Sequence, residues 1–110
     1  MNYIGSIVKI LETPEQSLLR NNVIRTKVRA QLPQLRNTQI VKLTFWGNLA
    51  REINNYYKTN DYIIIEGYLS LKNETKVNLN FKVPKKIEIT VSKFSPIPLN
   101  SEYLMSSRVN

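Results

Sequence analysis

A chain of 110 residues has room for one hydrophobic core and not for two, since single domains run to about 100 to 200 residues. It has no cysteine, no histidine and one aspartate, which excludes disulfides, thiolate chemistry, His-based triads and metal sites with nitrogen or sulfur ligands. The formal charge of +8 points instead to a polyanionic partner, because Lys and Arg displace counterions from phosphates.

Five stretches have strand pattern and one has helical period, which predicts a small all-β domain with a single connecting helix. The first strand runs from Asn2 to Leu11 and ends at Thr13-Pro14-Glu15, because proline cannot donate to a ladder. In the second, Val23 to Leu32, Ile24, Val28, Ala30 and Leu32 share one face, while Val23, Arg25, Lys27, Arg29 and Gln31 share the other. The third, Thr38 to Trp46, turns Val41, Leu43 and Phe45 inward and leaves Ile40, Lys42, Thr44 and Trp46 opposite.

Between Asn48 and Lys58, Leu49, Ile53, Tyr56 and Tyr57 form one apolar stripe at helical period, with Asn48 as the expected cap after Gly47. The fourth strand, Asp61 to Leu71, places Ile63, Ile65, Leu69 and Leu71 on the core face and Tyr62, Glu66 and Tyr68 outside. Gly67 within it signals a bend or bulge of the kind that lets a small sheet curl and close. The fifth, Lys86 to Phe94, buries Ile87, Ile89 and Val91. Strand order β-β-β-α-β-β with the helix between strands three and four is that of the OB-fold, a five-stranded, partly open Greek-key barrel. A β-sandwich is the rival, though it has no need of a helix at that place. The expected domain is residues 1–94, and the Pro- and Ser-rich stretch from 95 to 110 reads as a flexible tail.

Charge is segregated along the chain. From Gln16 to Arg51 there are seven basic residues and no carboxylate, so Arg25, Lys27, Arg29 and Lys42 are expected to share one cationic surface with Trp46. Binding single strands without sequence preference needs such a groove for phosphates and flat aromatic faces for bases. The alternatives are a solvated sheet face for the cations and closure of the barrel bottom for Trp46. Tyr68 either extends the stacking platform or packs across strands. Lys72, Lys76 and Lys82 belong to a polar, lysine-rich hairpin suited to gripping phosphates, or to an ordinary solvated loop.

Phe45-Trp46-Gly47-Asn48-Leu49-Ala50, followed by Ile65-Glu66-Gly67-Tyr68-Leu69, resembles the bacterial-type single-stranded DNA-binding protein family, in which an aromatic-Gly-X-Leu-Ala segment opens the helix. Thr13-Pro14-Glu15 resembles that family's Asp-Pro-Glu, and the likeness covers Asn2 to Phe94. It extends to the small members encoded in red-algal plastid genomes, in keeping with a composition rich in Asn, Ile, Lys and Tyr, whose codons are AT-rich. The resemblance implies single-stranded DNA binding in replication, repair or recombination, a plastid stroma location, and a homo-dimer or homo-tetramer. It places Trp46 on the family's base-stacking aromatic of strand three. Ile40 and Glu74 stand where the family has other stacking aromatics, and Ser107-Arg108-Val109-Asn110 stands in place of its acidic tip, so recruitment by that tip is not expected.

RNA is the alternative polymer, since OB barrels serve both, and a degenerate interaction module of a replication complex is the alternative role. An enzyme is not expected: three glycines cannot make a phosphate loop, and a pair such as Glu66 and Glu88 defaults to the surface. No cofactor is expected. No apolar run nears 18 residues and MNYIGSIVKIL has neither a basic nor an apolar block, so no membrane helix, signal or transit peptide is expected.

Overall fold

The computed structural model describes residues 2–33, 39–73 and 85–97. In chain order these form β1 (Asn2–Ile10), β2 (Glu15–Leu18), a 3-10 turn (Arg20–Asn22), β3 (Ile24–Leu32), β4 (Gln39–Trp46), α1 (Asn48–Tyr56), β5 (Tyr62–Asn73) and β6 (Lys85–Pro96). The five expected strands and the helix between the third and fourth of them are all present. β2 is an addition: after Pro14 the chain turns and pairs antiparallel with β3, from Glu15 opposite Lys27 to Leu18 opposite Ile24. Pro14 ends β1 as expected but does not end strand structure. β6 reaches Pro96, two residues past the expected end at Phe94.

The sheet order β1-β5-β6-β4-β3-β2, with a further β1–β3 pairing, makes a closed five-stranded barrel on which β2 is an outer flap. Two short seams complete the ring. One is the antiparallel pairing of Lys9 with Gln31 and Ile10 with Ala30, and the other is a parallel pairing of β4 with β6 from Lys42 opposite Glu88 to Thr44 opposite Thr90. Curling so small a sheet needs a local break in the ladder, and Gly67 supplies it. The β5–β6 register shifts between Glu66 and Gly67, and a Cβ at Gly67 would collide with the Thr90 carbonyl.

Alternation sends Val8, Ile10, Val28, Ala30, Val41, Leu43, Phe45, Ile63, Ile65, Ile89 and Val91 into the barrel, where Ala50 and Ile53 of α1 close one end. Burying each of the larger aliphatic side chains contributes about 1.5–3 kcal/mol. The buried Thr26 hydroxyl donates to the Ala50 carbonyl at 2.9 Å, so the one polar core side chain of β3 fastens the helix to the sheet. Three expectations are corrected here. Gly47, with φ 61°, is the cap residue and Asn48 is the first helical residue. Tyr56 is 76% exposed, because it sits at the edge of the stripe on the helix's last residue. Leu71 is exposed although its parity is inward, because the β5–β6 ribbon there runs past the other strands.

Candidate nucleic-acid interface

β3 and β4 form the frame of the site. Their antiparallel register sets Arg25 opposite Trp46, Lys27 opposite Thr44 and Arg29 opposite Lys42, all with outward parity, so Arg25, Lys27, Arg29, Lys42 and Trp46 share one surface as the sequence predicts. Trp46 is 42% exposed and does not close the barrel. Its place at the strand end is fixed by the following turn, in which the Gly47 N–H donates to the Ile24 carbonyl at 2.9 Å. The Arg25 guanidinium lies over the indole, Cζ 5.8 Å from the ring centroid. Arg25 Nε is buried with no hydrogen-bond acceptor.

The surface is not free of acid, although the stretch from Gln16 to Arg51 is. The Glu12 carboxylate accepts from both the Arg29 backbone N–H (2.9 Å) and its Nε (3.0 Å), and β2 sets Glu15 opposite Lys27. The Arg29 N–H holds the Glu12 carboxyl below the ordinary carboxylate range against the opposing effect of burial, with the Arg29 guanidinium assisting. Glu12, Glu15, Ser17, Lys27, Val28, Arg29 and Lys42 line an open groove of about 320 Å³. Pro14 concealed this arrangement from sequence reasoning. A turn into a short flap, with Gln16 and Leu18 alternating against β3, was the only local hint.

On the other side of β4, the parallel seam brings in a cation that sequence reasoning did not assign to the site. Lys86 lies beside Lys42, and its proximity, followed by burial and the charge of Lys27, lowers the Lys42 pKa. Glu88, the register partner of Lys42, acts in the opposite sense. Lys86 was visible as part of a lysine-rich stretch, but a parallel pairing across the barrel leaves no local signature.

Tyr68 lies elsewhere on the barrel, two strands from β4, with Thr90 between it and Thr44 in the register. At an interstrand spacing of about 4.8 Å this is about 10 Å away. It is 44% exposed and meets Tyr3 edge to face, ring centroids 4.9 Å apart. The Tyr3 hydroxyl bonds to Glu66 Oε1 (3.1 Å) and Ser92 Oγ (3.0 Å), so cross-strand packing already engages this pair. Lys72 is on β5 opposite Lys86. Lys76 and Lys82 lie outside the described residues. Among the described residues no helix is long and apolar enough to cross a membrane.

The fold recurs in solved structures. The SSB domain of a Synechococcus sp. protein superposes with a TM-score of 0.67 at 23% identity, covering 86% of this chain and 93% of that one. The second single-stranded DNA-binding protein of Mycobacterium smegmatis does so with a TM-score of 0.67 at 22% identity, covering 86% of each chain. At these identities the likeness is one of fold, and the fold is the OB-fold. No family model matches the sequence. A Trieres chinensis protein named "Putative single-stranded DNA-binding protein ycf41" is 37% identical over 105 residues, which is 92% of this chain and 93% of that protein. Its Pyropia yezoensis namesake is 28% identical over 93 residues, 84% of each. The chain belongs to the ycf41 family.

Proposed function

We propose that this protein binds single-stranded DNA with little regard to sequence, through the outward face of β3 and β4, as a binding protein and not an enzyme. The observation that carries this reading is the direct register of Arg25 with Trp46 beside Lys27, Lys42 and Lys86, which offers a flat ring for a base and clustered ammonium groups for phosphates on one surface. The names of the ycf41 relatives agree with it. Lys72, Lys76 and Lys82 supply further phosphate contacts on this reading, and Tyr68 serves chiefly as the packing partner of Tyr3. Replication, repair or recombination is the setting in which single strands need such a cover. The plastid is the proposed compartment, from the family resemblance and the AT-rich composition, and a homo-dimer or homo-tetramer the proposed assembly.

The test is a salt series with labelled oligo(dT), an RNA of matched sequence and a DNA duplex, followed by anisotropy and by Trp46 emission. Single-strand binding with quenched emission, and a log K against log salt slope of about −0.7 per phosphate contacted, is expected. A flat titration at low salt overturns the reading, and stronger binding to the RNA reassigns the polymer.

A further inference from the structure

Of the cations on β3, Arg25 is the one that, among the described residues, neither faces a carboxylate in register nor is held by one. Lys27 faces Glu15 and Arg29 is held by Glu12, whereas Arg25 stands between Ser17 and Trp46. Its guanidinium is spent on the indole, 5.8 Å from Cζ to the ring centroid. That posture leaves Nε–H buried and without an acceptor. A donor buried unpaired costs more than a cation–π contact at an exposed ring returns, so the posture is only weakly held. It also occupies part of the flat surface that a base would need.

Building on the single-strand reading, we propose that Arg25 is a displaceable cap on Trp46: in the free protein its guanidinium covers the indole, and on binding it yields the ring to a base and donates its N–H groups to the adjoining phosphate. The exchange satisfies both partners. The ring trades a cation for a stacked base, and the unpaired Nε–H gains an anionic acceptor, whose hydrogen bond is of the stronger, charge-assisted kind. A lysine at this position would keep the charge but has neither the planar group that stacks nor the Nε–H.

The arginine Nε–H resonances of the ¹⁵N-labelled protein report the exchange directly. The Arg25 signal is identified by its loss in Arg25→Lys, and in the free protein it should carry a ring-current shift that disappears in Trp46→Ala. Adding oligo(dT) to saturation, with binding followed by anisotropy in the same samples, should abolish that shift in the wild type. Arg25→Ala should make the salt slope shallower by about 0.7, the value of one phosphate. If the strand binds and the ring-current shift persists at saturation, or if Trp46→Ala leaves the free-state shift in place, the cap is refuted while single-strand binding stands. If no strand binds at low salt, both fail.

Discussion

Glu12 holds Arg29 twice, through the backbone N–H and through Nε, and so ties the turn after β1 to the middle of β3. The arginine is thereby partly neutralised on the face proposed to meet DNA. Glu12→Ala should release it, tightening oligo(dT) binding severalfold at low salt and steepening the salt slope by about 0.7, as a phosphate replaces the carboxylate. Anisotropy titrations at several salt concentrations check this. No gain in affinity or slope would mean that Arg29 does not reach the strand.

The same carboxylate gives a pH dependence of stability. Its folded pKa is lowered, chiefly by the Arg29 N–H. A lowered acid pKa means that the unfolded chain binds the proton more readily, so this contribution is complete above the ordinary carboxylate range and is lost as pH falls through the folded value. Side chains that are 61% and 39% exposed are screened by water, so the effect is small. Urea midpoints measured from neutral to acid pH should fall less for Glu12→Gln than for the wild type.

How far the site was legible follows from which contacts are local. Alternation alone separates Arg25, Lys27 and Arg29 from Val28 and Ala30, and puts Trp46 opposite Phe45, because a strand has a fixed period of two. Gly67 announced the bulge for the same kind of reason. Alternation cannot report which strand lies beside which. The acid-free run from Gln16 to Arg51 therefore read as an unopposed field, although Glu12 and Glu15 precede it in sequence and return to it in space. Lys86 reaches Lys42 only because the barrel closes through a parallel seam, a contact set by topology.

Trp46→Ala should weaken oligo(dT) binding by about 1–3 kcal/mol, the usual contribution of a stacked base, with the salt slope nearly unchanged. Trp46→Phe should retain most of the affinity, since a smaller ring still stacks. Calorimetry or anisotropy on the folded variants measures both. Equal losses for Phe and Ala would assign Trp46 a structural role.

Lys42 and Lys86 repel one another, and the Lys42 pKa is lowered first by Lys86 and then by burial. The charged form is disfavoured in the fold, so this penalty is present below the lowered folded value and is relieved as pH rises through it toward the ordinary lysine value. A phosphate between the two ammonium groups removes the repulsion and raises the pKa again. Binding of oligo(dT) just below the ordinary lysine range should therefore take up protons. Titration calorimetry in two buffers of different ionisation enthalpy detects the uptake, and Lys86→Gln should reduce it.

Gly67 is where the fold and the site meet. A Cβ at this position would run into the Thr90 carbonyl of β6, a backbone atom that cannot rotate aside. Gly67→Ala must therefore push β6 from β5 at the bulge, where the Ser92 hydroxyl now donates to the Glu66 carbonyl at 3.1 Å. Overpacking of this kind costs about 1–3 kcal/mol, so the urea midpoint should fall with the m-value unchanged. Thr90 is also the register partner of Thr44, and Lys86 is carried on the same strand four residues earlier, so displacing β6 moves Lys86 away from Lys42. Under conditions where Gly67→Ala remains folded, its salt slope for oligo(dT) should be shallower than that of the wild type. An unchanged slope alongside a lowered midpoint would mean that the bulge stabilises the barrel without positioning the lysine pair.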